Sequence, residues 1–117
     1  MRKYIEFTVD IKPFQAVQLL LENRDLKASL VFEDYKIAGV DEKEISILVF
    51  EKFYLRNSST ATLTVIADNF SGVPIVKCIS AGNGQGILDM DLGAGKSFLK
   101  PVRKILEPHI IEITQES

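Results

Sequence analysis

The sequence has 117 residues, of which 46% are hydrophobic and 26% are charged, with a formal net charge of −2. This length suits one domain over residues 1–117, and the mild acidity gives no electrostatic basis for a nucleic-acid or membrane partner. One Cys and one His exclude a disulfide framework and a multi-Cys zinc site. We expect a cytoplasmic protein, because no signal peptide is recognisable and no apolar run approaches the ~20 residues that span a bilayer.

The first part of the chain predicts a strand followed by a helix. Ile5, Phe7 and Val9 alternate with polar residues, which is the period of a half-buried strand. Pro13 then stands at a favourable first position of a helix. Apolar residues at spacings of three and four extend this helix over residues 13–24.

From residue 28 onward most of the chain predicts strands. The β-prone segments, separated by polar or glycine-containing turns, are 28–37, 44–56, 60–68, 73–81 and 87–92. A last helix is expected from about Ala94 to Glu107. Pro101 should lie near its first turn, since a proline deeper in a helix clashes with the preceding carbonyl. Residues 110–113 could add an edge strand.

The element order β-α-β-β-β-β-β-α predicts an α+β fold. We expect an antiparallel sheet of five to six strands with two helices on one face. If the sheet curls around the last helix, the order suits a helix-grip arrangement with a cavity between sheet and helix. A flatter two-layer structure without a cavity is the alternative.

The segment Gly93-Ala94-Gly95-Lys96-Ser97 matches the end of a phosphate-binding P-loop. However, Met90 stands where the motif requires glycine, and the antiparallel context lacks the necessary parallel βαβ unit. We interpret the segment as the start of a helix with Ser97 as its cap, and we expect no cofactor.

The candidates for catalysis and metal binding are weak. Cys78 lies in the middle of a predicted strand, and nothing in the sequence places it beside His109. Asp89 and Asp91 share a strand face, but further oxygen ligands for a cation are lacking. The basic residues Lys96, Lys100, Arg103 and Lys104 of the last helix are typical of a solvated face, although RNA or anionic lipid could bind there. We predict no catalytic and no metal-binding residue.

The longest predicted strand carries the candidate binding residues. Its residues 45, 47, 49, 51, 53 and 55 form a row that is apolar except for Glu51. We expect this row to face the interior, with Glu51 hydrogen-bonded at a pocket rim or displaced to the surface by a bulge, because a buried carboxylate needs a partner. The other row ends in Lys52, Tyr54 and Arg56, which could hold an anion or a partner surface.

The segment Gly82-Asn83-Gly84-Gln85-Gly86 is the second candidate. Three glycines in five residues permit positive φ and a close backbone approach. A wide hairpin or bulge accounts for such a segment, and backbone amides there could also hold a small anion. The predicted ligand- or partner-binding set is Glu51, Lys52, Tyr54, Arg56, Asn83 and Gln85.

Several segments together carry a resemblance to a known family. They are Val49–Ser58, Ala61–Val65, the glycine segment 82–86, Gly93-Ala94, Ser97-Phe98 and Val102–Leu106. Over residues 3–107 the chain resembles a family of small proteins of Gram-positive bacteria that is known only as a domain of unknown function. The family has no assigned activity, so the resemblance implies no chemistry. It strengthens the hypothesis that Glu51–Asn57 and the glycine segment have a functional role.

These observations favour a non-enzymatic module that binds a small molecule or a protein. A homo-oligomeric assembly protein without a ligand is the alternative, and an enzyme is a distant third. A cavity lined by Phe50, Tyr54 and the glycine segment would favour ligand binding. A large self-complementary apolar patch would favour a homodimer.

Overall fold

The computed structural model describes residues 2–55, 58–83 and 94–117. Within these ranges the chain forms β1 (Arg2–Val9), α1 (Pro13–Leu21), α2 (Arg24–Ala28), β2 (Leu30–Ile37), β3 (Glu44–Tyr54), β4 (Ser59–Asp68), β5 (Ile75–Asn83), α3 (Ala94–Leu106) and β6 (Ile110–Glu116). A short 3-10 helix, Glu107–His109, joins α3 to β6. The strand expected at 87–92 lies outside the described residues.

The strands form one antiparallel sheet of six strands in the order β2-β3-β4-β5-β1-β6. Helix α1 packs over β3 and β4, and α3 packs over β4, β5 and β1. The core lies between this helix layer and the sheet, where Phe7, Phe50, Leu63 and Leu106 are fully buried. The predicted α+β fold with an antiparallel sheet is therefore confirmed, and the C-terminal segment does add an edge strand.

The helix expected over residues 13–24 is divided into two helices. α1 ends at Leu21, and the Asn23 side chain accepts a hydrogen bond from the Leu26 N–H at 3.0 Å. This bond caps the start of α2, which ends at Ala28, where a strand was expected to begin. With this division, Leu20 of α1 and Leu26 of α2 are both buried in the core.

The row of β3 expected to face the interior lies on the opposite face, so that prediction is wrong. Ser46, Leu48 and Phe50 are buried beneath the helices, whereas Ile47 and Val49 are only half-buried on the uncovered face of the sheet. The covered row contains Glu44, Ser46 and Lys52 and is the more polar of the two, so alternation alone predicts the wrong face. The position of the helix layer decides which row is covered.

Two expectations about the last helix are also wrong. Pro101 lies inside α3, seven residues after Ala94, rather than in the first turn. The helix tolerates the loss of one backbone hydrogen bond there, and Val102 next to the proline is buried in the core. Ser97 is not the N-cap, since α3 begins three residues earlier.

The buried carboxylate of β3 is Glu44, at the start of the strand. Glu44 is 6% exposed, and its Oε1 accepts a hydrogen bond from the Phe14 N–H at 2.8 Å in the first turn of α1. Its own N–H donates to Asn69 Oδ1 at 2.8 Å. A carboxylate at a helix N-terminus compensates unpaired amides and the positive end of the helix dipole. Glu44 therefore joins α1, β3 and the turn after β4.

We predict that Glu44→Ala lowers the free energy of unfolding by about 1–3 kcal/mol, because it leaves a helix amide without its acceptor. Glu51→Ala is the matched control, since Glu51 is an exposed carboxylate on the same strand, and it should change stability by less than about 0.5 kcal/mol. Urea unfolding followed by circular dichroism measures both values. Equal losses in the two variants would contradict the capping role.

Candidate functional site

The sequence-predicted residues of β3 lie at the end of the strand that extends beyond β2. Glu51 and Lys52 are exposed, and Tyr54 is half-buried against the core. The Lys52 Nζ lies 5.7 Å from the centre of the Tyr54 ring, within the range of a cation–π contact. Lys52 and Tyr54 are thus brought together on one face, as their spacing indicates.

The remaining predicted residues are placed only in part. Arg56 and Gln85 lie outside the described residues, and for Asn83 only the backbone is described. Asn83 pairs with Thr60 of β4, and Thr60 pairs with Phe53 of β3. The start of the glycine segment therefore lies at the same end of the sheet as the end of β3, with β4 between them. A binding role for this set stays a prediction.

Glu51 is exposed on a part of β3 that pairs regularly with β4, without the bulge that we expected to bring it to the surface. Glu51 pairs with Thr62 in an unbroken register, and its N–H donates to the Ser29 carbonyl at 2.9 Å. The side chain is exposed because its row lies on the face without helices. No bulge of β3 against β4 is needed to bring it to the surface, so the argument that selected Glu51 no longer holds.

The helix face holds a cavity whose lining residues the sequence analysis did not predict. It lies between β1, α3 and the end of β6 and has a volume of about 340 Å³. Ile5, Phe7 and Val102 are buried residues that form its apolar floor together with Leu99. This cavity lies between the sheet and the last helix, and it is lined by β1 rather than by Phe50 and Tyr54.

The polar lining of this cavity is mainly cationic. Among the described side chains of the lining, Lys3, Lys100 and Arg103 are cationic and Glu116 is the one carboxylate. Arg103 Nη1 and Glu116 Oε2 form an ion pair at 2.8 Å, with both side chains about half exposed. An exposed pair of this kind adds little stability, but it leaves a surplus of positive charge beside an apolar floor. The basic residues of the last helix were the sequence signal for this site.

A hydrogen-bonded cluster on the other face of β1 fastens β6, which forms one wall of the cavity. Glu6 accepts hydrogen bonds from the Tyr4 hydroxyl at 2.7 Å and from the Thr114 hydroxyl at 2.9 Å, and these bonds lower its pKa. Burial, followed by the hydrogen bond to Glu6, raises the pKa of Tyr4 to about 12. The Ser117 N–H donates to the Tyr4 carbonyl at 2.9 Å.

The described residues show no constellation for nucleophilic or metal-assisted catalysis. Cys78 is fully buried, and burial raises the pKa of its thiol to about 12, so the reactive thiolate is scarce near neutral pH. His109 Nδ1 lies 3.0 Å from Asp10 Oδ1. Cys78 pairs with Ile5 in the sheet, and Asp10 is five residues further along the chain than Ile5, or roughly 16 Å along an extended strand. His109, which contacts Asp10, is therefore far from the Cys78 thiol. No group of three possible metal ligands occurs in the part of the chain that is described.

Comparison with known proteins identifies the chain's relatives only at the level of a family. A family model described as "Family of unknown function (DUF6054)" matches residues 2–110. This match confirms the resemblance to a family of unknown function over nearly the whole chain. No curated protein matches the sequence. Every helix in the described ranges is too short or too polar to cross a membrane.

We predict that the stability of the protein falls between about pH 10 and 12 and that Tyr4→Phe weakens this fall. The pKa of Tyr4 is raised from 10.0 to about 12 on folding, so its contribution is complete below pH 10 and is lost as the pH rises towards 12. Urea unfolding at pH 8, 10, 11 and 12 measures the effect. Tyr35→Phe, at an exposed tyrosine, is the control, and an identical pH dependence in both variants would contradict the assignment.

Proposed function

Because the chain belongs to this family of unknown function, which assigns it no activity, we propose a role from its own geometry: a non-enzymatic module that binds a small amphipathic carboxylate. The supporting observation is the cavity between β1 and α3, in which an apolar floor lies beside a surplus of cationic side chains. Each half of such a ligand meets a matching part of this lining.

The apolar half of the ligand contacts Leu99, which is half-buried and lines the cavity from the helix side. Phe7 and Val102 are at most 1% exposed and Ile5 is 4% exposed, so they are core residues that support this surface from beneath. A preformed apolar surface gains affinity because little side-chain entropy is lost on binding.

The carboxylate half of the ligand meets the rim. Lys100 and Arg103 lie one turn apart on α3, and Lys3 approaches from β1. Arg103 offers a planar group that can hydrogen-bond a carboxylate with two N–H donors. Its ion pair with Glu116 occupies one side of the guanidinium and orients the group. The net positive charge discriminates against neutral amphiphiles of the same length.

The volume limits the size of the ligand. A cavity of about 340 Å³ is near the lower end of the range for ligand sites, roughly 300–1,000 Å³. It fits a medium-chain carboxylate rather than a large cofactor. A medium-chain acid such as octanoate is therefore an appropriate probe.

The end of β3 is a second candidate surface, for a protein partner rather than a small molecule. Phe53 and Leu55 are 56% and 85% exposed there, and the Lys52–Tyr54 contact lies on the other face of the strand. Exposed apolar residues that lie close together are typical of interaction surfaces. This surface contains the residues that the sequence singled out, and Phe53→Ser would test it through loss of partner binding without loss of fold.

We predict that octanoate raises the melting temperature of the protein and that octanol at the same concentration raises it much less. Lys100→Gln removes one rim charge and should weaken octanoate binding about three- to tenfold. Lys104→Gln is the matched control, because Lys104 lies one turn along the same helix and does not line the cavity. Differential scanning fluorimetry and isothermal titration calorimetry measure these effects.

Two results would contradict the proposal. In one, millimolar octanoate produces no thermal shift and no heat of binding. In the other, octanol binds as well as octanoate, or the Lys100 and Lys104 variants bind octanoate equally, which would place the ligand away from the cationic rim.

A further inference from the structure

The outer edge of β2 presents hydrogen-bonding groups that no described strand uses. β2 is the terminal strand on one side of the sheet. The Ala38 N–H donates to the Lys43 carbonyl at 2.7 Å, which shows that even-numbered residues of β2 bond with β3 in this antiparallel register. The backbone N–H and C=O groups of Glu33, Tyr35 and Ile37 therefore point away from the sheet.

Four of the eight side chains of β2 are exposed large hydrophobic residues. Their exposed fractions are 60% for Val31, 52% for Phe32, 43% for Tyr35 and 58% for Ile37. On the helix side, Phe14 of α1 packs against Tyr35 with ring centres 4.8 Å apart. A long apolar strand edge pairs readily with another strand unless it is covered or interrupted.

The opposite edge of the sheet is protected in a way that β2 is not. β6 has two register shifts against β1, between Glu6 and Phe7 and between Thr8 and Val9. By contrast, β2 has one register shift against β3, between Leu30 and Phe32, and pairs regularly from Phe32 to Ile37. Register shifts discourage edge pairing, so the regular part of the β2 edge is the one suited to receive a strand.

We propose that β2 of one copy of this chain pairs antiparallel with β2 of a second copy, about a two-fold axis at Tyr35. In this register Asp34 lies opposite Lys36 of the second copy, and Lys36 lies opposite Asp34 of the second copy. Asp34 and Lys36 share the uncovered face and already form an ion pair at 2.7 Å. The dimer therefore contains four charges of alternating sign across its axis.

The charge pattern selects this register over its neighbours. An axis at Glu33, at Asp34 or at Lys36 places that residue directly opposite its own copy, and like charges at opposed positions destabilise a strand pair. An axis at Tyr35 instead opposes two uncharged residues at the centre. A second copy of the chain therefore carries the charges that complement those of the β2 edge.

The same axis buries the exposed aromatic pair. A two-fold axis perpendicular to the sheet keeps the helices of both copies on one face, so the two six-stranded sheets join into one. Phe14 and Tyr35 then lie beside their copies on the helix side of the junction. The cavity lies near the opposite edge of the sheet, by β6. Formation of this dimer is therefore independent of ligand binding in the cavity.

Sedimentation equilibrium of the full chain tests the dimer through charge reversal. Asp34→Lys and Lys36→Asp should each raise the dimer dissociation constant at least about tenfold, because like charges then face each other twice. The double variant Asp34→Lys/Lys36→Asp should restore the parent value. An equimolar mixture of the two single variants should form a heterodimer, since their charges are complementary. Glu112→Lys on β6 is the control and should leave the dissociation constant unchanged.

A parent chain that stays monomeric up to millimolar concentration would overturn the proposal, and the β2 edge would then be a site for an extended peptide of another protein or would stay unpaired. A dimer that Asp34→Lys affects no more than Glu112→Lys would overturn it as well, since dimerisation would use another surface. Circular dichroism of each variant verifies that the fold is retained.

Discussion

The insertion of β1 between β5 and β6 is the constraint on which the rest of the structure depends. The chain leaves β1 near one edge of the sheet and must reach β2 at the other edge. Helices α1 and α2 make this connection, and α1 packs over β4 and β3 on the way. The chain later returns from β5 to β6 through α3, which packs over β5 and β1 on the same face. The helices cover one face as a result, and no described strand lies on the outer side of β2.

This one-sided covering determines the environment of each carboxylate on β3. Glu44 begins the row beneath the helices, and it is tolerated there because the first turn of α1 supplies an N–H donor at 2.8 Å. Glu51 belongs to the other row and keeps its hydration. The two residues have the same chemistry, but alternate residues of a strand point to opposite faces of the sheet. Glu44 points towards the helices and caps α1, whereas Glu51 points away from them and is solvated.

The two proposed sites lie at opposite edges of the sheet for the same reason. α3 lies over β1, so its cationic residues Lys100 and Arg103 meet the apolar surface of that strand. α1 lies over β3 and brings Phe14 to Tyr35 at the β2 edge. A ligand at one side and a second copy of the chain at the other would not compete. The central strands contribute the rigid core that separates them.

The sequence by itself determined the α+β class, the antiparallel strands, the approximate positions of most elements and the absence of a complete P-loop motif, because alternation, helical spacing and turn residues are local signals. It also placed Lys52 and Tyr54 together, since residues two apart share a strand face. Only the tertiary structure decided which face of β3 is buried, that Pro101 lies inside α3 and that Ile5 and Phe7 line a cavity with Arg103. Those features depend on contacts between segments far apart in the chain, and no local pattern in one segment specifies which distant segment will pack against it.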